Sequence, residues 1–124
     1  MFDLSEKLAL VTGAGQGIGA GIAFHLAKQG ATVLVNDYVA ERAEQVAGNI
    51  TNDGFDARAL PFDVTDREAV LAAVGDQAID IIVNNAGNAG AQPMHATVFR
   101  DMKPEQWSAS IDVNLYGVMN TTYA

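Results

Sequence analysis

The sequence predicts an α/β fold built on an open, doubly wound parallel sheet, and three observations support this prediction. Short apolar runs alternate along the chain with stretches whose apolar residues recur at helical spacing. The short runs are apolar almost throughout, which is typical of strands that helices cover on both faces. A glycine-rich turn follows the first run. Alternating strands and helices imply parallel strands that are joined by right-handed crossovers.

The first three strand–helix units follow from apolar periodicity and from end signals. Strands are predicted at 7–12, 31–36 and about 57–62. The first helix carries an apolar stripe and ends at Gly30, which is placed as a C-terminal glycine would be. The stripes of the first two helices comprise Ile18, Ile22, Ala23, Leu26 and Ala27, then Val39, Ala43, Val46, Ala47 and Ile50. Thr65-Asp66-Arg67-Glu68 resembles a capping box, with Thr65 at the N-cap of a third helix that ends near Val74.

The fourth unit is a strand at 79–83 followed by a long helix. A loop that contains Gly90 and Pro93 connects them, and His95 in this loop is expected to be an ordinary surface residue. Pro104 lies at the start of the long helix, where proline is tolerated. The apolar face predicted for this helix comprises Trp107, Ile111, Leu115, Val118 and Thr122.

Composition excludes several classes of function. The net charge of −8 argues against a nucleic-acid surface. The chain has no cysteine, which excludes disulfides and thiolate metal sites. No metal site is predicted. The N-terminus lacks the features of a signal peptide, and no apolar window reaches the roughly 20 residues of a membrane helix. A cytoplasmic protein without nucleic-acid or membrane partners is the expectation.

The turn from Thr12 to Gly19 reads Thr-Gly-Ala-Gly-Gln-Gly-Ile-Gly and links the first strand to the first helix. Its spacing is Thr-Gly-x-x-x-Gly-x-Gly rather than the stricter G-x-G-x-x-G. Glycines allow a tight turn and close approach of a ligand, and a helix start offers unpaired N–H groups and a positive dipole end. This arrangement predicts a pyrophosphate site. The alternative is a turn without a ligand.

Asp37 ends the second strand, where a carboxylate can accept hydrogen bonds from both hydroxyls of an adenosine ribose. It would repel a 2′-phosphate, and the nearest arginine, Arg42, is expected a turn into the next helix. NAD is therefore favoured over NADP. The alternative role for Asp37 is to cap that helix, and the two roles are compatible.

Three further polar positions follow strands or interrupt the long helix. Asp63-Val64 follows the third strand and could hold an adenine ring, although a solvated acid is the simpler reading. Asn84-Asn85-Ala86-Gly87 follows the fourth strand, where one amide could tie strand ends together and the other could meet a ligand. Asn114 is predicted on the apolar face of the long helix. A buried amide is costly unless it is bonded, so Asn114 is expected to have a specific partner.

Together these motifs resemble the short-chain dehydrogenase/reductase family, in order and from Lys7 to Tyr123. The resemblance implies a Rossmann-type doubly wound parallel sheet over 1–124, hydride transfer between NAD and a secondary alcohol or ketone, and homo-oligomers of the full-length protein. It implies that Asn114 is catalytic and anchors a water in a proton relay. The implied cofactor-binding residues are Thr12, Gly13, Gly15, Gln16, Gly17, Ile18, Gly19, Asp37, Asp63, Val64, Asn85, Ala86 and Gly87.

One departure from the family pattern concerns the chemistry. The family needs a serine on the next strand and a Tyr-x-x-x-Lys on the next helix, but Tyr116 is followed four residues later by Asn120, and Tyr123 by one residue. The expectation is a cofactor-binding domain, truncated after the fourth strand and the long helix, inactive by itself and with an exposed strand at 79–83. Two alternatives stay open at this point: a dinucleotide-binding module or inactive relative, and a methyltransferase.

Overall fold

A four-stranded parallel sheet forms the centre of the protein, as seen in a computed structural model that describes residues 2–87 and 98–124. The strands are β1 (Leu8–Val11), β2 (Thr32–Val35), β3 (Ala57–Ala59) and β4 (Ile81–Val83), in the order β3-β2-β1-β4. The predicted parallel sheet is confirmed, with strands shorter than predicted. The predicted loop with Gly90, Pro93 and His95 lies outside the described residues.

Helices connect the strands as predicted. They are α1 (Gly17–Lys28), α2 (Ala40–Asn52) and α3 (Arg67–Val74). A short 3₁₀-helix (Phe99–Asp101) precedes the long helix, which consists of α4 (Pro104–Ile111), a π-helical stretch (Asp112–Gly117) and α5 (Val118–Tyr123). Pro104 occupies the start of α4, where its missing N–H leaves no helical bond unmade.

The two faces of the sheet bury different sets of residues, because successive side chains of a strand point to opposite faces. On one face, Ala9, Val11, Val33 and Val35 pack with small residues from α1 and α2. On the other face, Leu10 and Leu34 pack with residues from the third unit and the long helix, namely Phe62, Val64, Val70, Val74 and Val113. Both faces are therefore covered, which confirms the doubly wound arrangement.

The start of α3 corrects one prediction. Asp66, not Thr65, is the N-cap residue, and its carboxylate accepts a hydrogen bond from the N–H of Ala69 at 3.1 Å. The Thr65 hydroxyl instead donates to Oδ1 of Asp63 at 2.8 Å. Both residue types make good caps, and this local bond shifts the helix start by one residue.

The long helix turns a different face to the sheet from the one predicted. Val113, Gly117 and Thr121 are buried, whereas Ile111 and Leu115 are 44% and 53% exposed. A Cβ atom on Gly117 would lie 2.7 Å from Cγ2 of Val64, so glycine allows the helix to approach this closely. The π-helical stretch also shifts the angular position of later residues, which moves the predicted apolar stripe off the contact face.

Among the strands of residues 2–87 and 98–124, β4 pairs with β1 and lies at the edge of the sheet, which agrees with the predicted exposed edge, and Ile82 on it is exposed. Asp80 fastens its beginning to β1: one carboxylate oxygen accepts from the Leu8 N–H at 2.9 Å and the other from the Lys7 ammonium at 2.9 Å. Among the helices in the described residues, none combines the length and apolar character needed to span a bilayer.

Candidate functional site

A cleft of about 1240 Å³ opens at the carboxyl ends of the strands, beside the long helix. This is the edge of an open α/β sheet where ligands bind. The structure brings nearly all of the predicted site residues to its lining: Gly13, Gln16, Gly17, Ile18, Gly19, Asp37, Asp63, Val64, Asn85, Ala86, Gly87 and Asn114. Thr12 and Gly15 are not part of this lining; both bond to residues that are, as described below.

The glycine turn brings β1 close to the chain after β4. Gly13 has a φ of +62° and approaches Ala86 so closely that a Cβ on Gly13 would lie 2.9 Å from the Ala86 Cα. A Cβ on Gly19 would collide with the Gly13 carbonyl oxygen. Gly17 differs from these two, since a Cβ there would have no atom of the described residues within 4 Å. The turn is therefore closed on its protein side and open above Gly17.

The first turn of α1 faces the cleft without a side-chain cap. Gln16 at the N-cap position has an extended backbone and makes no capping hydrogen bond, and no acidic residue lies in the first turn. Ile18 in this turn is 79% exposed within the cleft, although the sequence placed it on the apolar stripe. The helix start thus offers N–H groups and a positive dipole end to an anion.

Thr12 and Asn85 join the ends of β1 and β4. The buried Thr12 hydroxyl oxygen accepts hydrogen bonds from the N–H groups of Asn85 and Ala86, both at 3.0 Å. The Asn85 side-chain amide donates to the carbonyl oxygens of Thr12 and Gly13 at 3.0 and 3.1 Å. Asn84 bonds on the other side, where its Oδ1 accepts from the Thr121 hydroxyl at 2.6 Å. Both asparagines therefore hold elements together, and Asn85 also lines the cleft.

Asn36 is a residue of this site that the sequence reasoning missed. Its side chain is buried, its Oδ1 accepts from the Gly13 N–H at 3.4 Å, and its amide nitrogen donates to the carbonyl oxygens of Leu60 and Phe62 at 3.1 and 3.0 Å. It thus connects the turn, β2 and the chain after β3. The available signal was an asparagine at the end of an otherwise apolar strand.

Asp37 is 3% exposed and is held by two backbone donors. The Gly15 N–H donates to one carboxylate oxygen at 3.2 Å, and the Val39 N–H donates to the other at 2.9 Å. The N-cap position of α2 belongs to Val39, so Asp37 does not occupy it. Arg42, which the sequence placed a turn into the next helix and away from Asp37, lies beside it in the structure: Nη1 of Arg42 is 4.0 Å from Oδ1 of Asp37.

Asp63 and Val64 lie on the far side of the cleft. Asp63 is exposed and accepts hydrogen bonds from the backbone and hydroxyl of Thr65 at 2.9 and 2.8 Å. The carbonyl oxygen of Val64 accepts from the Asn120 side chain at 2.9 Å. This second bond links the chain after β3 to the long helix and fixes one wall of the cleft.

Asn114 lies in the π-helical stretch and is exposed, so the prediction that it is buried on the apolar face of the helix is wrong. Its side-chain amide donates to the Ser110 carbonyl oxygen at 2.7 Å. A Cβ on Gly87 would lie 3.2 Å from Oδ1 of Asn114, which places the two residues side by side at the cleft. π-Helical turns are frequent at functional sites.

The strand order β3-β2-β1-β4 and the glycine turn after β1 define a Rossmann-type doubly wound fold. A sequence profile of the short chain dehydrogenase family matches residues 7–124, so the chain belongs to that family. The methyltransferase alternative is thereby overturned.

Similar proteins include both curated relatives and solved structures. The 5-keto-D-gluconate 5-reductase of Escherichia coli is 36% identical over 100% of this chain and 49% of its own length. A gluconate 5-dehydrogenase from Burkholderia cenocepacia, solved with NADP and tartrate, is 37% identical with a TM-score of 0.86, covering 98% of this chain and 48% of that one.

A third similar protein is the 3-oxoacyl-[acyl-carrier protein] reductase from Brucella melitensis, solved with bound NAD. It is 33% identical with a TM-score of 0.88, covering 98% of this chain and 47% of that one. The chain thus spans about half the length of the relatives it matches. These relatives are oxidoreductases by name, and the two structures between them carry both nicotinamide dinucleotides.

Proposed function

We propose that this chain binds the dinucleotide for an oxidoreductase that moves a hydride between a nicotinamide cofactor and a secondary alcohol or ketone. The observation that carries the proposal is the cleft itself. The cleft brings three features together: an uncapped helix start, a glycine turn that is open above Gly17, and the fixed carboxylate of Asp37 after β2.

The pyrophosphate belongs at the glycine turn. The first-turn N–H groups of α1 would donate to its oxygens, and the space above Gly17 leaves room for it. The residues proposed to form this end are Gly13, Gly15, Gln16, Gly17, Ile18 and Gly19, with Thr12 as their support. The exposed Ile18 would gain an apolar cover when the cleft is filled.

The adenosine belongs at the end of β2. Asp37 has one backbone donor on each carboxylate oxygen and keeps further lone pairs for ribose hydroxyls. Asp63 and Val64 are proposed to flank the adenine. NAD remains the proposed cofactor on the strength of Asp37.

Asn114, Asn85, Ala86 and Gly87 form the proposed nicotinamide end. The nicotinamide ring supplies a carbon that gives or takes a hydride. Asn114 carries the role that the family resemblance implies, which is to hold a water for proton transfer. Its amide nitrogen is bonded to the Ser110 carbonyl, and its Oδ1 lies on the side of Gly87, so the side chain is oriented before any ligand binds.

The substrate is proposed only as a secondary alcohol or ketone. Two of the similar proteins are named for gluconate or its 5-keto form, so gluconate is the first compound to assay with the full-length protein.

A titration with NADH tests the proposal directly on this chain. Trp107 is the sole tryptophan, and its neighbours Gln106 and Ser108 line the cleft. Its emission overlaps the absorption of the dihydronicotinamide, so bound NADH should quench it through energy transfer. We expect saturable quenching in the range of about 1 μM to 1 mM that ADP-ribose reverses and S-adenosylmethionine does not. Quenching without saturation would contradict the proposal.

A further inference from the structure

The last turns of the long helix are tied to the carboxyl ends of two strands. The Asn120 side-chain amide donates to the Val64 carbonyl oxygen at 2.9 Å, in the chain after β3. The Thr121 hydroxyl donates to Oδ1 of Asn84 at 2.6 Å, directly after β4, and the Asn84 amide nitrogen donates to the Thr122 hydroxyl at 3.4 Å. Side-chain hydrogen bonds therefore fix this end of the helix against the sheet.

Thr121 makes the shortest of these bonds and is buried, with 0% exposure. Its hydroxyl oxygen also lies 3.1 Å from the Gly117 carbonyl oxygen and 3.2 Å from that of Val118, one turn earlier in the helix. A hydroxyl carries a single proton, and the 2.6 Å distance assigns that proton to Asn84. Thr121 thus bonds across to the strand end rather than to its own helix.

The π-helical stretch that contains Asn114 lies between two anchored points. Val113 is buried in the core on one side of Asn114, and Thr121 anchors the helix on the other side. Gly117, between them, packs closely against the chain after β3. Because π-helical geometry is rare, contacts outside the stretch are needed to hold it. Loss of an anchor would let the stretch relax towards an α-helix, which would change the direction of the Asn114 side chain.

The same strand end carries both the anchor of the helix and the neighbour of Asn114. Asn84 and Gly87 belong to the chain directly after β4, and a Cβ on Gly87 would lie 3.2 Å from Oδ1 of Asn114. The hydrogen bond between Thr121 and Asn84 therefore closes a short loop that runs through Asn114 and Gly87. Removal of this bond opens the loop. Asn84 is exposed, so water can replace the lost partner and the fold should persist.

We propose that Thr121 is a positioning residue, whose hydrogen bond to Asn84 fixes the side chain of Asn114 beside Gly87. The bond from Asn114 to the Ser110 carbonyl oxygen holds the side chain to its own helix, and the bond from Thr121 holds that helix to the strand end. This inference rests on the proposed function for the task of Asn114 at the nicotinamide end. It goes beyond that function by naming the residue that holds Asn114 in place.

The test follows the side-chain amide signals of Asn114 in nitrogen–proton correlation NMR spectra of this chain, and Asn114→Asp identifies these signals by removing them. Thr121→Val keeps nearly the shape of the side chain but removes the hydroxyl, so it should shift the signals. Thr121→Ser keeps the hydroxyl and should return them to their original positions. Ile50→Val controls for a general loss of stability, because Ile50 is 1% exposed in the core on the opposite face of the sheet. It should leave the signals in place.

A second readout is the response of the same signals to a ligand. NADH should shift the Asn114 signals of the unmodified chain, whereas ADP-ribose, which lacks the nicotinamide, should leave them nearly unchanged. In Thr121→Val the response to NADH should be lost, and in Thr121→Ser it should be present. A general loss of stability would instead reduce the response to NADH in Ile50→Val as well.

Three results would overturn the inference: Asn114 signals that stay in place in Thr121→Val, equal shifts in Thr121→Val and Thr121→Ser, or an equal shift in Ile50→Val. An equal response to NADH in every variant would also overturn it and would keep the proposed function. If the substitutions move and restore the signals as expected but NADH leaves them unchanged in the unmodified chain, the positioning role stands and the proposed nicotinamide end is contradicted.

Discussion

The two walls of the cleft are built differently. On the wall formed by β1, β2 and the glycine turn, side chains such as Leu34 have 0% exposure, and polar groups are bonded within the chain. On the wall formed by the long helix, large apolar side chains stay on the outside, and Leu115 is 53% exposed. Within the described residues, the side chains of the glycine-turn wall are therefore buried or hydrogen-bonded. Much of the apolar surface of the long helix, by contrast, has no packing partner among these residues.

This difference separates the two tasks proposed for the cleft. The groups proposed to bind the pyrophosphate and ribose lie on the buried wall, and Asn114 lies on the exposed helix. Dinucleotide binding should therefore be sensitive to changes near the turn and tolerant of changes on the outer face of the long helix.

A pair of leucine substitutions should show the largest contrast between the walls. Leu34→Ala removes a fully buried side chain, and we expect it to lower the free energy of unfolding by about 2–5 kcal/mol. Leu115→Ala changes a half-exposed side chain and should alter it by less than about 0.5 kcal/mol. Urea unfolding monitored by circular dichroism measures both, and similar losses would mean that the walls are not so different.

A second pair separates the ligand space above the turn from backbone strain. Gly17 and Gly54 both have positive φ, at +55° and +87°, and a Cβ on either would have no neighbour within 4 Å in the part of the chain that the structure describes. Valine at each position should cost similar stability, roughly 1–2 kcal/mol, through the left-handed backbone. Only Gly17→Val places a side chain where the pyrophosphate is proposed, so it should weaken NADH binding by about 30-fold or more. Equal NADH affinities for the two variants would contradict the proposed site.

Thr12 allows the link between the turn and β4 to be tested. Thr12→Val leaves the N–H groups of Asn85 and Ala86 without their acceptor and should destabilise the protein by about 1–3 kcal/mol. Thr12→Ser keeps the oxygen and should cost less. If serine and valine prove equally damaging in urea unfolding, loss of the hydroxyl acceptor does not explain the effect, because serine retains that acceptor.

The smallest effect is expected at the beginning of edge strand β4. The Leu8 N–H, and then the Lys7 ammonium, hold the pKa of Asp80 below its ordinary value. The resulting stabilisation is fully present above the unfolded pKa of about 3.9 and is lost as the pH falls through the lower folded pKa.

The measurement is the urea midpoint of the unmodified chain and of Asp80→Asn as a function of pH. The unmodified chain should be slightly more stable from pH 7 down to about 5, and the difference should close as the pH falls below about 4. Lys7→Gln should produce a smaller loss, since the backbone donor remains. A difference that persists undiminished at pH 2 would show that this carboxylate contributes through something other than its charge.

The sheet and the turn could be predicted because local sequence reports on them directly. Strands buried on both faces must be apolar throughout, and a turn with positive φ at Gly13 and Gly17 requires glycine. The predicted start of α3 was wrong by one residue. Thr65 and Asp66 are both good N-cap residues, and the hydrogen bond from Thr65 to Asp63 leaves Asp66 as the N-cap.

The missed features depend on contacts between distant parts of the chain. The short distance between Arg42 and Asp37 follows from how α2 packs on the glycine turn, and no local sequence pattern indicates this packing. The contact face of the long helix depends on Gly117 and Thr121, which carry little hydrophobic signal, and on a π-helical stretch that shifts the helical period. Asn36 was missed because its partners, Gly13 and the chain after β3, come together only in the folded sheet.

The hydrogen bonds beneath the glycine turn also bear on the entropy of binding. Fixing the backbone of a mobile loop costs about 1–2 kcal/mol for each residue that becomes ordered. Here Asn36 and Asn85 bond the turn from two sides, so its dihedral angles are set before any nucleotide arrives. Contacts with a phosphate then add to affinity without an ordering cost to offset them, and even a small nucleotide such as ADP should bind measurably.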